Sequence, residues 1–156
     1  MNIMIAKLSY TKQLENGTFK RVTEPYLVDA FSFTECEARV HSQLGALIKG
    51  DFQVKSIVRQ DCDDILATDD FDAWYKVTVE MEITEDESKP KKVKKVYFVT
   101  GSSVDEAYRT VSDLISTFLV PCKITESKET PIVDYLKLSD DVKRSEDESD
   151  ITEDHD

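Results

Sequence analysis

The feature that most constrains the fold of this chain is its similarity to itself at an offset of 71 residues. Two pairs of segments fall into register at that offset, and a third does so after one deletion: Lys20-Arg21-Val22 with Lys91-Lys92-Val93, Tyr26-Leu27-Val28 with Tyr97-Phe98-Val99, and Asp64-Ile65-Leu66 with Asp134-Tyr135-Leu136. Self-similarity at a fixed period indicates copies of one folding unit. We assign the two copies to about residues 4–66 and 75–136.

Each copy opens with the signals of a β-hairpin. Apolar and polar residues alternate over residues 6–11 and again over residues 77–83, which is the period of a half-buried strand. The first copy turns at Asn16-Gly17, a pair that tolerates the positive φ of a tight turn, and the second turns through the polar residues 85–90. Two antiparallel strands are therefore predicted at the start of each copy.

A helix is predicted after each hairpin. Ser32 with Glu35, and Ser103 with Glu106, fit the capping box in which a hydroxyl and a carboxylate satisfy free amides at a helix start. An apolar stripe follows each cap: Cys36, Val40, Leu44, Leu47 and Ile48 in the first copy, and Val104, Ala107, Val111, Leu114, Ile115 and Phe118 in the second. The spacing predicts two amphipathic helices.

A third strand completes each unit as ββαβ. Gly50 and Pro121 follow the two helices, and strands are predicted over residues 52–58 and 122–125. One helix on a three-stranded sheet leaves an edge and an apolar flank that a second copy can cover. The predicted class is α+β: two pseudo-symmetric ββαβ repeats packed as one domain, with the helices on one side of an antiparallel-rich sheet. The patterns leave open whether the six strands form one continuous sheet.

Charge separates the end of the chain from the rest. The net charge is −12, and half of it lies in residues 137–156, where nine acids oppose three bases. Only Leu138, Val142 and Ile151 are sizeable apolar residues there, too few to offset the entropy of ordering the segment. We predict a single domain over residues 1–136 and a disordered acidic tail over residues 137–156.

Several classes of protein do not fit the sequence. There is no apolar run long enough to span a membrane and no signal-peptide pattern, so we expect a cytoplasmic protein with no membrane partner. Cys36, Cys62 and Cys122 form no C-x-x-C pair and are expected to be reduced thiols.

No pattern of catalytic or metal-binding residues is present. Phosphate-binding, nucleophile-elbow and H-E-x-x-H motifs are absent, so we expect a non-enzymatic protein with no catalytic residue and no cofactor. His41 and Cys36 are five residues apart, about 140° around a helix, and do not face one ligand. The acids of residues 61–72 lack the glycine and closing glutamate of an EF-hand, so we predict a linker and no metal site.

Basic residues interleaved with aromatics are the most suggestive feature for function. Eight residues are candidates for binding nucleic acid: Lys20, Arg21, Tyr26, Lys91, Lys92, Lys94, Lys95 and Tyr97. On a sheet, such residues can contact phosphates and stack on bases of a single strand. A structural explanation competes with this one, because Glu80 and Glu82 are expected opposite Lys94 and Lys92 in the hairpin and can pair with them, with Tyr97 in the core.

Residues 24–39 also carry a resemblance to a known family. They read E-P-Y-L-V-D-A-F-S-F-T-E-C-E-A-R, which resembles the signature E-P-Y-L-V-D-A-x-S-F-T-E-A-E-A-R of a small family catalogued as a domain of unknown function. That family occurs in gut anaerobes and their phages, including crAss-like phages. Cys36 replaces the usual alanine, and Trp74-Tyr75 fits the family's aromatic pair. The resemblance covers roughly residues 1–136 and implies no catalytic residues, but it implies a place among phage replication proteins as a single-stranded-DNA binder.

Two functions remain from this reasoning. The first is a non-enzymatic phage or bacterial accessory protein that binds single-stranded DNA in replication, with the acidic tail contacting replication or other proteins. It predicts DNA binding that weakens steeply with salt and strengthens when residues 137–156 are removed. The alternative is an acidic adaptor or inhibitor of a host or phage protein, which predicts no DNA binding with or without the tail.

Overall fold

The computed structural model describes residues 1–48, 50–85 and 89–138. In these residues the chain is α+β, with two helices and eight strands in two sheets. The elements in chain order are β1 (Ile3–Gln13), β2 (Phe19–Asp29), α1 (Phe33–Leu44), β3 (Phe52–Gln60), β4 (Asp64–Leu66), β5 (Ala73–Ile83), β6 (Lys91–Gly101), α2 (Val104–Ile115), β7 (Cys122–Thr130) and β8 (Tyr135–Leu136). The predicted α+β class is confirmed.

The strands form two separate four-stranded sheets, not one continuous sheet. The first sheet has the order β3-β1-β2-β8 and the second has the order β4-β6-β5-β7. All pairs of long strands are antiparallel, whereas the short β8 and β4 run parallel to β2 and β6. The sequence analysis predicted neither short strand. Each short strand joins the sheet that is formed by the other half of the chain. β4 follows the three long strands of the first sheet but pairs with β6 of the second, and β8 follows the strands of the second sheet but pairs with β2 of the first.

The two hairpins lie where the turn residues predict them. Gly17 has a φ of 84°, and the Asn16 side-chain oxygen accepts bonds from the Thr18 amide and hydroxyl, at 3.1 and 2.6 Å. Positive φ suits glycine because it lacks a Cβ. In the second hairpin the strands end at Ile83 and resume at Lys91, and residues 86–88 of the predicted turn lie outside the described residues.

The hydroxyl half of both predicted capping boxes is confirmed, but the carboxylates bond elsewhere: Glu35 accepts from the Phe31 amide at 3.1 Å, and Glu106 accepts from the Ser102 hydroxyl. The Ser32 hydroxyl accepts from the Glu35 amide, and the Ser103 hydroxyl accepts from the Glu106 amide, each at 3.1 Å. The helices are shorter than predicted. α1 ends at Leu44 and α2 at Ile115, so Leu47, Ile48 and Phe118 of the predicted apolar stripes lie beyond the helix ends.

The first helix stops short at a glycine. Gly45 follows α1 and is a poor helix former, so Leu47, expected on the buried stripe, lies beyond the helix and is 76% exposed.

Three apolar clusters define four layers. Met4, Ala6 and Leu8 pack against α1, whereas the alternate residues Ile3 and Ile5 pack toward the second sheet. In the second sheet, likewise, one face packs on α2 through residues such as Val77 and Val99, and the other meets the first sheet through Trp74, Val96 and Phe98. The order of layers is therefore helix, sheet, sheet, helix.

The prediction that both helices lie on one side of a sheet was wrong. The strands of both sheets are apolar on both faces near one end, so each sheet requires cover on two sides. The sheets cover each other, and each helix covers an outer face. Below, the faces that meet between the sheets are called inner, and those beneath the helices outer.

The end of the described chain lies beside the first helix. The Lys137 carbonyl accepts a bond of 2.8 Å from the Gln43 side chain of α1. From residue 139 onward the predicted acidic tail lies outside the described residues. In the part of the chain that is described, no helix is long and apolar enough to cross a membrane.

Candidate nucleic-acid interface

Strand alternation divides the predicted basic residues between two faces. In β6, Lys92 and Lys94 are in phase with Phe98 of the inner face, whereas Lys91 and Lys95 are in phase with the outer face. In β2, Arg21 is in phase with the inner face and Lys20 with the outer face. Successive side chains of a strand point to opposite faces. The eight predicted residues therefore do not form one surface.

The two predicted tyrosines belong to the cores beneath the helices. Tyr26 is 6% exposed in the cluster under α1, and Tyr97 is 5% exposed in the cluster under α2. Burial raises the pKa of both phenols. A ring must present a face to stack on a base, and neither of these does. The structure corrects the prediction that they are stacking residues, and Tyr97 occupies the core position of the structural explanation.

The basic runs lie on open edges of the sheets. β4 covers only residues 97–99 of β6, and β8 covers only residues 27–28 of β2. Among the described residues, therefore, none pairs with the outer edge of residues 91–95 of β6 or of residues 19–24 of β2. Lysine on an open edge discourages pairing with another strand. This placement gives the lysines a structural role that is independent of any ligand.

Some of the cations are also paired. Glu80 lies opposite Lys94, and Glu82 opposite Lys92, which confirms the predicted register. The ion pair is diagonal, with Lys92 Nζ 3.5 Å from a Glu80 carboxylate oxygen. Lys95 Nζ lies 3.6 Å from Asp63. Arg21 Nε donates to the Ser9 hydroxyl across the hairpin at 3.0 Å.

A groove runs between the inner faces of the two sheets. Its smaller part, about 180 Å³, has Ile5, Pro25, Phe98 and Ile132 among its apolar walls. A wider part of about 440 Å³ adjoins it along the second sheet and shares residues with it. Five lysines line the two parts, and we call this surface the lysine groove: Lys7, Lys76, Lys92, Lys94 and Lys128.

Three of these lysines form no ion pair with a described carboxylate. Lys92 pairs with Glu80, and Lys128 Nζ lies 3.3 Å from Glu126. No carboxylate of the described residues lies within 4.0 Å of the ammonium of Lys7, Lys76 or Lys94, which come from β1, β5 and β6. The unpaired positive charge of the groove is thus contributed by both sheets.

Lys7, Lys76 and Lys128 were not predicted because none of them has a basic residue next to it in the sequence. A signal was present, however. Lys7 is two residues from Ile5, and Lys76 is two residues from Trp74, so each shares the inner face with an apolar neighbour. These strands are apolar on both faces. A lysine at an inner-face position of such a strand indicates that the inner face is exposed to solvent at that position.

Two acids of residues 61–72, Asp63 and Asp64, accept hydrogen bonds from backbone amides and so stabilise the fold. Asp63 Oδ2 accepts a bond of 2.7 Å from the Val96 amide, and Asp64 Oδ1 accepts one of 2.8 Å from the Ile65 amide. Across the described ranges, no group of three or more histidine, cysteine or acidic side chains is placed to hold a metal ion. The exposed His41 stacks on Phe52, with ring centroids 4.8 Å apart.

Two cysteines are buried in conditions that disfavour the thiolate. Burial raises the pKa of Cys36 to about 11 and that of Cys62 to about 12. The thiolate is the nucleophilic form of cysteine, so both side chains are protonated at neutral pH. They act as small apolar residues of the cores beneath α1 and between the sheets.

Comparison with known proteins identifies a family and no named relative. The family described as "Domain of unknown function (DUF4494)" matches residues 3–138. No curated protein and no solved structure matches the chain. The matched segment contains both sheets, both helices and all five lysines of the groove, and it stops before the acidic residues 139–156.

Proposed function

The chain belongs to this family of domains of unknown function, and we propose that it is a non-enzymatic protein that binds single-stranded DNA in the lysine groove. The observation that carries the proposal is the presence of three lysines, Lys7, Lys76 and Lys94, that pair with no described carboxylate and lie around one groove between the sheets. Contacts between lysine and phosphate supply most of the affinity of proteins that bind nucleic acid without sequence preference.

An exposed aromatic residue on the same inner face supports the proposal. Phe19 is 71% exposed at the tip of the first hairpin and is in phase with Arg21, two residues further along β2. Phe19 can therefore offer a ring face to a base, which the buried Tyr26 and Tyr97 cannot. One exposed aromatic on the inner face, in phase with Arg21, fits binding that depends on phosphate charge more than on stacking.

The proposal is tested with a labelled single-stranded oligonucleotide, whose fluorescence anisotropy is followed as the full chain is added at 50 and 200 mM salt. The groove variant combines Lys7→Gln, Lys76→Gln and Lys94→Gln. The matched control combines Lys20→Gln, Lys55→Gln and Lys91→Gln, which removes the same charge outside the groove. Thermal unfolding of each variant checks that it is folded.

We expect the groove variant to bind at least tenfold more weakly and the control to bind nearly as well as the unaltered chain. Each lost phosphate contact lowers the dependence of log K on log salt by about 0.7 for a single strand, so the slope of the groove variant falls by about 2. Equal weakening by the two variants contradicts a site in the groove. Absence of binding by every protein at 50 mM salt contradicts the proposal as a whole.

The pairing of Lys92 with Glu80 and Lys128 with Glu126 favours a second candidate function. If these acids neutralise the groove, the protein acts through its acidic surface as an adaptor or inhibitor of another protein. This function predicts no DNA binding by the full chain or by a chain ending at residue 138. The anisotropy titration therefore separates the two candidates.

We further propose that the two halves descend from one duplicated unit. Support comes from features that recur 71 residues apart: the helix caps at Ser32 and Ser103, and the register shifts at Lys7/Leu8 and Thr78/Val79 where the first strand of each half meets the edge strand. On the resemblance carried by residues 24–39, we place the protein among cytoplasmic phage or bacterial accessory proteins of replication.

A further inference from the structure

We infer that the lysine groove also binds an acidic segment of this same chain, residues 146–156, and that this contact excludes nucleic acid. The contact itself is argued from the groove and the sequence of the segment. Its consequence, competition with DNA, rests on the proposed function. The two statements are tested separately below.

Charge complementarity supports this occupant. Residues 146–156 contain seven acids and neither lysine nor arginine, whereas residues 139–145 contain both Lys143 and Arg144. The groove presents three lysine ammonium groups that no described carboxylate neutralises. Opposite charges brought together in a partly enclosed groove attract more strongly than on an open surface, because water screens them less.

The segment also matches the apolar part of the groove. Ile151 lies near its centre, with Asp150 before it and Glu153 two residues after it. Ile5, Phe98 and Ile132 are among the apolar walls of the smaller part of the groove, which Lys7 and Lys76 also line. One apolar side chain between acids corresponds to an apolar floor between lysines. An acidic segment without an apolar side chain would leave these apolar walls uncovered.

The length of chain between the fold and the segment is sufficient. The described chain ends at residue 138, where the preceding Lys137 is bonded to Gln43 of α1, outside the first sheet. The eight residues to position 146 span at most about 27 Å. Strands are about 4.8 Å apart, so β1, which carries Lys7, lies about 10 Å from β8 across β2. The uncovered edge of β2 leaves a path around the sheet.

The attachment of the segment to the fold makes the contact effective even if each pairing is weak. A tethered segment acts at an effective concentration in the millimolar range. DNA must displace it, and the full chain is expected to bind DNA at least fivefold more weakly than a chain whose segment is uncharged. High salt weakens both contacts, so the difference narrows as salt is raised.

The contact is tested without DNA by carbodiimide cross-linking of the full chain, which joins a lysine amine to a carboxylate only when the two are in contact. Cross-linked peptides are identified by mass spectrometry. Mixing chains labelled with ¹⁴N and ¹⁵N separates links within one chain from links between chains. Lys7 and Lys94 are compared with Lys55 and Lys91, which are exposed and outside the groove.

We expect residues 146–156 to link to Lys7 and Lys94 at least fivefold more than to Lys55 and Lys91, within one chain, and the links to disappear at about 0.5 M salt. Equal yields at all four lysines overturn the inference, as do links formed only between chains. A yield that does not respond to salt also contradicts a contact based on charge.

A second measurement distinguishes failure of this inference from failure of the proposed function. In one variant the seven acids of residues 146–156 become their amides. In the control, seven exposed acids of the fold become amides: Glu15, Glu37, Asp51, Asp69, Asp70, Asp105 and Asp113. Tighter DNA binding by the first variant alone supports competition in the groove.

The remaining outcomes each decide one statement. Cross-links to the groove in a protein that binds no DNA support the contact and contradict the proposed function. DNA binding that depends on the groove lysines, without cross-links and without any effect of the amide substitutions, contradicts the inference and leaves the proposed function intact.

Discussion

In the second sheet, β4 is attached to β6 through a side chain as well as the backbone, whereas in the first sheet β8 is attached to β2 through the backbone alone. The Asp63 amide donates to the Val96 carbonyl at 2.8 Å, and the Val96 amide donates to Asp63 Oδ2 at 2.7 Å. At the corresponding place the Val133 amide donates to the Pro25 carbonyl at 2.9 Å. Proline has no amide hydrogen, so nothing there requires an acceptor.

The difference shows two ways of ending a strand pair without an unsatisfied amide. At Val96, which is 4% exposed, the donor is kept and a carboxylate satisfies it. At Pro25 the donor is absent. An unpaired buried amide is costly, so one of these solutions is needed at each junction. The same topology therefore does not demand the same residues.

The contributions of the two sheets to the core between them also differ. Leu27 and Phe98 occupy corresponding positions, as do Ile3 and Trp74, and all four are buried there. At these two positions the first sheet has aliphatic side chains and the second has aromatic ones. Trp74 also meets Tyr135 of β8 edge-to-face, with centroids 6.4 Å apart.

The largest expected effect tests this asymmetry. Phe98→Ala is expected to lower the free energy of unfolding by about 3–5 kcal/mol, and Leu27→Ala by about 2–5 kcal/mol, with Phe98→Ala the larger of the two. Both residues are almost completely buried, so each substitution leaves a cavity. Urea unfolding followed by circular dichroism measures the two losses. Val58→Ala, at a site that is 51% exposed, serves as the control and should cost about 0.5 kcal/mol or less.

A loss below about 1 kcal/mol for Phe98→Ala would show that the sheets do not depend on this contact. A larger loss for Leu27→Ala than for Phe98→Ala would reverse the asymmetry.

The next largest effect separates the two junctions. Asp63→Ala leaves the Val96 amide without its acceptor and removes the contact with Lys95, so the free energy of unfolding is expected to fall by about 1–3 kcal/mol. Val133→Ala keeps the backbone bond to Pro25 and is expected to cost less than about 0.5 kcal/mol. Chemical denaturation of the two variants measures the difference, and equal losses would remove the distinction between the junctions.

A smaller effect is expected where the two halves are alike. Ser32→Ala and Ser103→Ala each remove a side-chain acceptor from a helix start and are expected to cost about 1 kcal/mol. The two losses should agree within about 0.5 kcal/mol because the hydroxyl-to-amide bond that is removed is 3.1 Å long in both caps. Ser32→Asp and Ser103→Asp, which retain an acceptor, are the controls. Markedly unequal losses in thermal unfolding would mean that the two helix starts are not equivalent.

The smallest effect at neutral pH concerns Tyr135, which extends from the second half into the core between the sheets. Burial, followed by the charge of Asp29, raises its pKa to about 12. A raised pKa means that the folded state holds the phenol proton more tightly than the unfolded state does. The resulting stability is complete below about pH 10 and is lost as the pH rises to about 12. The urea midpoint of the unaltered chain should thus fall more steeply between about pH 10 and 12 than that of Tyr135→Phe. Parallel curves would contradict a role for this phenol.

Local chemistry explains which parts of the fold the sequence predicted. The turn at Asn16-Gly17, the caps at Ser32 and Ser103, and the register that places Glu80 opposite Lys94 depend on residues close together in one hairpin or one helix turn. Such interactions are read from spacing, because the periods of a strand and a helix are constant. The class of fold followed from these elements.

The crossing of β4 and β8 was not predictable in the same way. The two strands have three and two residues, too short to show a period, and each pairs with a sheet formed mainly by the other half of the chain. The placement of the helices on opposite outer faces was not predictable either. An apolar face requires a cover, but its sequence does not specify which element provides it.

The candidate site illustrates the same division. From the sequence came the abundance of cations on the two hairpins and the acidic residues that end the chain, because composition and charge are properties of the chain itself. The tertiary structure decided which cations lie together. It separated Lys92 from Lys91 by strand alternation, placed Tyr26 and Tyr97 in cores, and joined distant lysines of four strands in one groove, because a surface is made by residues that are neighbours in space.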